Sequence, residues 1–311
     1  MELVSEKDLT VVEWLLDSDP SIRWQVMHDL TKEPGDVVAA ERSKIAEKGW
    51  GARLLALQGP DGQWGGGACF PEWTSTMNTL SLLELMGLDP ASDEVRRALV
   101  LVRDNSKWEH AGQPFFSGEV EPCINGRVVA LGSYFGQDIQ DVVDRLLREQ
   151  LSDGGWNCEA ERGSTRSSFH STICVLEGLL EHERAKGGSA EARAARLRGQ
   201  EYLLERRMLR RLSTGEVIDH NWTLFSFPTR WHYDVLRGLD YLRSTGVVPD
   251  KRLTEAIDLV KKRRGEDGRW PLQNTYPGQT HFNMDEGDGK PSRWNTLRAM
   301  RVLGWYDQAH R

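Results

Sequence analysis

Three segments of the 311-residue chain share one grouping: Ser21-Ile22-Arg23-Trp24, Thr229-Arg230-Trp231-His232 and Ser292-Arg293-Trp294-Asn295, with Thr165-Arg166 a looser version. A hydroxyl residue followed by a guanidinium and an indole suits a helix start that sets charge beside an aromatic face. The guanidinium fork matches carboxylate, sulfate and phosphate geometry, so Arg23, Arg166, Arg230 and Arg293 are candidate anion contacts. Trp24, Trp73, Trp231 and Trp294 are candidate walls of the accompanying pocket, and His232 has the residue type for general acid or base work near neutral pH. The other reactive groups are four thiols, Cys69, Cys123, Cys158 and Cys174. Their wide spacing is unlike the dense disulfide framework of a small secreted domain.

The elements that must position these groups read as helices. Ile139, Val142, Val143, Leu146 and Leu147 fall on one face of a helix, as do Leu253, Ile257 and Val260. A second helix type carries mostly apolar or small runs, as in Gly126–Leu131 and Ile173–Leu179. Aligning six such runs on Leu30, Leu83, Leu131, Leu179, Leu239 and Met300 gives spacings of 53, 48, 48, 60 and 61 residues. A repeat of one amphipathic and one apolar helix buries its faces only against its neighbours. Six copies predict a closed ring of six hairpins, an all-α (α/α)6 toroid forming one domain over residues 1–311, with the apolar helices inside. In such a ring the inner helices run in one direction, so their N-termini and the arginines beside them converge on one rim and favour an anion there.

A second repeat lies in the loops: Gln58-Gly-Pro-Asp61-Gly62-Gln-Trp64, Gln150-Leu-Ser-Asp153-Gly154-Gly-Trp156 and Arg264-Gly-Glu-Asp267-Gly268-Arg-Trp270. Asp-Gly makes a tight turn, with Gly supplying the positive φ. This recurring Gln-x3-Gly-x-Trp resembles the QW motif of the terpenoid cyclase and protein prenyltransferase toroid superfamily, squalene cyclases included, with Arg264 departing from it in the third copy. The resemblance implies the toroid fold. The Asp-x-Asp-Asp tetrad by which class II cyclases protonate an alkene does not occur in the chain. The better local match is to prenyltransferase β subunits, which hold zinc with an Asp-x-Cys at one inner helix start and a His at the next. That likeness implies Glu121, Cys123 and His170 as oxygen, sulfur and nitrogen ligands, with Cys158 an alternative to Glu121 and one position left open for catalysis.

Net charge is −7 with Lys and Arg scattered along the chain, which argues against nucleic-acid binding. No run of about 18–20 apolar residues suggests a membrane span, and a cytoplasmic protein is expected. The loop Lys107-Trp108-Glu109-His110 reads as solvated. The resulting expectation is a cyclase-like or transferase-like enzyme for a small or isoprenoid-like substrate carrying a diphosphate or other oxyanion, assisted by zinc. A non-catalytic binding protein, a self-resistance factor or the partner subunit of a complex, is the competing expectation.

Overall fold

The computed structural model describes residues 6–309 and contains thirteen α-helices among them. Six form the inner wall: α2 (Pro20–Val26), α5 (Thr76–Met86), α7 (Pro122–Tyr134), α9 (Phe169–Lys186), α11 (Val235–Ser244) and α13 (Arg293–Ala309). Around them lie α1 (Glu6–Leu16), α3 (Gly35–Ser43), α4 (Gly49–Leu55), α6 (Asp93–Asn105), α8 (Gln140–Arg148), α10 (Ala190–Glu205) and α12 (Thr254–Lys262). The two classes differ as their sequences demand. α5 and α7 are buried nearly all round, whereas α8 buries only Val142, Val143 and Leu146 and α12 only Ala256, Ile257 and Val260.

Among the inner helices α7 packs on α5 and α9, and α13 on α11 and α2; Gln25 donating to the Leu85 carbonyl joins α2 to α5, and the Arg237–Glu177 pair joins α9 to α11, which completes the ring. Polar contacts tie this seam. Arg301 on α13 donates to Gln25 Oε1 at 2.7 Å and pairs with Asp29, Arg264 pairs with Asp8, and Arg293 donates to the Trp14 carbonyl. At the crossing of α7 and α9, Gly126 lies against the Cys174 backbone and Gly178 against the Gly126 carbonyl, an approach that no Cβ permits.

The three loop repeats make one construction. Trp64, Trp156 and Trp270 are fully buried, and each indole N–H donates to the last turn of the preceding outer helix, at Leu54, Leu146 and Val260, over 2.6, 2.7 and 2.8 Å. Each of their backbone N–H groups donates to a threonine hydroxyl in the next inner helix, Thr76, Thr172 or Thr296, at 3.0–3.1 Å. Gln58 and Gln150 donate to Gly62 and Gly154 within the turn and to Ala98 and Ala195 on the next outer helix. Arg264 keeps the first bond, to Gly268 at 3.0 Å, and replaces the second with the Asp8 ion pair. The departure in the third copy therefore serves ring closure.

Helix starts differ from expectation in two places. Asp19, whose carboxylate accepts from Ser21 N at 2.9 Å, caps α2, so Ser21 lies inside the first turn. Thr229-Arg230-Trp231-His232 is a turn preceding α11, which is capped by Asp234 accepting from Arg237 N at 2.7 Å. Pro228 and the left-handed Arg230, with φ 58°, keep that segment out of the helix.

Candidate functional site: two chambers along the ring axis

The first turns of α5, α7 and α9 and the loops before them enclose a chamber of about 590 Å3 at the ring's mouth. Met77, Ile124, Trp73 and Trp231 supply apolar wall, and Phe70 projects at its edge, 59% exposed. Trp73 is held by its indole N–H donating to the Pro277 carbonyl at 2.6 Å. Pro277 belongs to the segment between Trp270 and α13, which packs against Trp73. His281 of that segment meets Thr79 Oγ1 at 2.9 Å, and Tyr276 stacks on His232 at 3.7 Å between ring centres. The 107–110 loop, expected to be solvated, contributes a buried Trp108 to the same chamber, and Glu109 accepts from the backbone N–H groups of Cys69 and Phe70.

On the chamber wall a carboxylate oxygen of Glu121 and the sulfurs of Cys123 and Cys158 lie within 4.8 Å of one another. Cys123 opens α7, and Cys158 opens the short helical turn Cys158–Arg162 after the second Trp turn. A hydrogen bond shared with Cys158 pushes the Cys123 thiol well above the ordinary thiol range, with burial adding to the effect. The same bond holds Cys158 below its usual value, helped by the Ser171 hydroxyl at 3.3 Å. Cys123 therefore keeps its proton and Cys158 is the sulfur on which negative charge is favoured. Two sulfurs and a carboxylate suit zinc, whose tetrahedral donors stand about 3.8 Å apart, so the three groups fit that ion after a small closure.

His170 lines the chamber outside this group. Its Nδ1 accepts the Tyr233 N–H at 2.8 Å, which leaves the neutral ring's proton on Nε2. A metal-bound histidine instead donates its second ring N–H, so this orientation does not present His170 as a ligand. Burial, with Arg237 adding to it, lowers its pKa to about 4. His232 is also lowered to about 4, by burial and then by His170 and Arg237, and its ring is stacked between Trp231 and Tyr276. That sandwich leaves only the ring edge for acid or base work.

The four rim arginines do not converge. Arg23 pairs with Glu41 and donates to the Ser18 carbonyl, Arg293 is spent on Trp14, and Arg166 is exposed in its loop. Arg230 alone enters the ring interior, with its guanidinium 4.8 Å from the Trp73 ring centre. The tryptophans divide similarly. Trp73 and Trp231 face the mouth chamber, Trp294 is buried in a stack with Phe227, and Trp24 donates to the Met86 carbonyl in a second chamber.

That second chamber, of about 420 Å3, lies towards the C-terminal halves of the inner helices. Asn78 and Arg127 line both chambers and form the waist between them. Arg127 donates to Asn78 Oδ1 at 2.8 Å and Ser81 Oγ at 3.1 Å. Below it, the Glu84 carboxyl is raised to about 8 by burial and then by Glu181 and Glu177, so it is mostly protonated at neutral pH. Sequence reasoning missed Arg127 and Glu84, which hide in the apolar runs of α7 and α5. The signal was there: a charged residue inside a largely buried apolar helix needs a partner or a ligand.

No described helix is long and apolar enough to cross a membrane. The sequence matches no protein-family model and no curated protein. Among solved structures the chain is similar to the type II terpene cyclase MstE from Scytonema, at 17% identity over 94% of this chain and 87% of that chain, with a TM-score of 0.44. A variant of that enzyme in complex with its substrate geranylgeranyl dihydroxybenzoate matches at 15% identity over 91% of this chain and 84% of that chain, with a TM-score of 0.42. A second variant with the same substrate matches at 16% identity over 94% and 86%, with a TM-score of 0.41.

Proposed function

We propose that the protein is an enzyme that cyclises or transfers a small, apolar, isoprenoid-like substrate carrying an oxyanion group, with zinc assisting at Glu121, Cys123 and Cys158. The observation that carries this reading is the placement of that triad on the wall of an aromatic chamber. The apolar body of a substrate packs against Trp73, Trp231, Met77 and Ile124, and burial of such surface contributes about 25 cal/mol per Å2. Cys158 then faces it as the more acidic sulfur, held by the Ser171 hydroxyl and the Cys123 thiol. The segment bearing Pro277 and His281 holds the Trp73 wall in place and packs on Thr79 of α5. Zinc bound by the triad supplies a Lewis acid and keeps its sulfur ligands deprotonated. Arg230 answers the charge of the anionic group.

Elemental analysis of protein purified without chelators tests this directly. One zinc per chain is expected, lost in folded Cys123→Ala and Cys158→Ala variants and retained in His170→Ala. A metal-free wild type overturns the zinc-assisted reading and favours a non-catalytic binding protein using the same chamber. Loss of metal in His170→Ala with retention in Cys158→Ala overturns the ligand set.

A further inference from the structure

The second chamber holds two positive charges, Arg127 at the waist and Arg230 beside it, with no carboxylate paired to either among the described residues. Arg127 is 8% exposed, and its hydrogen-bonded partners, Asn78 and Ser81, are neutral. Arg230 lines the same chamber in a left-handed backbone conformation that a side chain adopts only under constraint. Its guanidinium packs on Trp73 and feels Arg127 as a like charge.

The acids that line the second chamber do not neutralise them. Glu177 is taken by Arg237 in a two-bond fork, at 2.9 Å on one side, and Glu181 faces Arg184 at 3.5 Å. Glu84 stands one helical turn beyond Ser81 and keeps its proton near neutral pH. The lower arginines, Arg42 and Arg184, are occupied with helix-end carbonyls, those of Gly87 and Ser244. Burying an unpaired guanidinium is costly, and two facing one cavity compound the cost unless a counter-charge arrives.

We propose that Arg127 and Arg230 bind a doubly charged oxyanion at the waist, a phosphate monoester or inorganic phosphate, so that a substrate enters head first with its apolar body left in the mouth chamber. The orientation rests on the function proposed above; the dianion site does not, because it follows from the charges alone. Two guanidiniums favour a dianion over a carboxylate, since each fork has a partner oxygen and the charges cancel. The neutral Glu84 carboxyl is then available below as a hydrogen-bond donor rather than a repelling charge.

Calorimetric titration of inorganic phosphate into the full-length protein at pH 7.5 tests the site. One phosphate per chain is expected, displaced by sulfate and not by acetate. Affinity should fall about tenfold or more in Arg127→Gln and in Arg230→Gln, and stay unchanged in Arg103→Gln, a surface arginine paired with Asp104. Without phosphate, Arg127→Gln should melt at or above the wild-type temperature, because an unpaired buried charge has gone. Octyl phosphate should bind more tightly than inorganic phosphate, and Trp231→Ala should remove that gain while leaving inorganic phosphate binding intact. The proposal is overturned if wild type binds no phosphate, or if both waist variants bind it as wild type does. Should Arg127→Gln fail to fold, Arg230→Gln decides alone. Zinc content is independent of these outcomes, so the dianion site and the zinc reading fail separately.

Discussion

The crossing of α7 and α9 sets the spacing on which both chambers depend, and it can be opened by one methyl group. A Cβ at Gly126 would stand 2.6 Å from the carbonyl carbon and oxygen of Cys174 and from the Val175 nitrogen. All are backbone atoms, so no rotamer change relieves the contact, which falls about 1 Å short of van der Waals separation. Forcing the helices apart costs about 2–4 kcal/mol, offset by the roughly 1 kcal/mol that alanine gains over glycine in a helix interior. Gly126→Ala should therefore destabilise the protein by about 1–3 kcal/mol. Gly304→Ala is the matched control: it lies exposed on α13 with nothing within 4 Å of its Cβ position, and should stabilise by up to about 1 kcal/mol. Urea unfolding followed by far-ultraviolet circular dichroism at fixed zinc and phosphate measures both. Since Gly126 stands between Cys123 and Arg127, its variant should also weaken zinc and phosphate together. A Gly126→Ala protein as stable as wild type would refute the close-packing argument.

Trp156→Phe leaves the Leu146 carbonyl without its 2.7 Å donor in a fully buried site and should cost about 1–3 kcal/mol, with phosphate and zinc binding unchanged in titrations of the folded variant. Arg264→Gln should change unfolding free energy by less than about 1 kcal/mol, because glutamine restores the turn bond seen in the first two copies and the Asp8 pair is about one-third exposed. Burial holds His170 and His232 near 4, below the ordinary value of about 6.5. Between those limits the unfolded chain binds more protons, so stability falls as pH drops from about 6.5 towards 4. Replacing either histidine with Asn should shrink the slope of unfolding free energy between pH 5 and 6; an unchanged slope would contradict the buried neutral rings. Octyl phosphate should quench tryptophan emission in wild type and less in Trp231→Phe, leaving any quenching through Trp156 undetectable.

The ring was legible because it is written twice, once in the spacing of apolar helices and once in the Trp turns, and each turn proved to be the same set of hydrogen bonds. The glutamine-to-arginine departure could not be interpreted before the seam was known, since its partner Asp8 lies 256 positions away. The rim arginines misled for a related reason. Arg23, Arg230 and Arg293 share a local grouping, yet Asp19 caps one segment, Asp234 ends another as a turn, and Trp14 claims the third. Asp19 and Asp234 stand within four residues of the arginines they displace, and only the Trp14 carbonyl, 279 positions from Arg293, lies beyond local sequence. The likeness to prenyltransferase β subunits pointed to Glu121, Cys123 and His170 with Cys158 as an alternative to Glu121; the structure brings Glu121, Cys123 and Cys158 together, whereas the exclusion of His170 depends on one backbone N–H, from Tyr233. Arg127 and Glu84 were passed over as members of apolar runs, although charge in a largely buried helix was itself the clue.

Zinc K-edge X-ray absorption of protein loaded with one equivalent of zinc tests the central claim most directly. A first shell of two sulfurs at about 2.3 Å with oxygen donors at about 2.0–2.2 Å is predicted, and this sulfur shell should be absent from Cys158→Ala, which no longer holds the ion. A shell of nitrogen and oxygen alone, unchanged by that substitution, would contradict it.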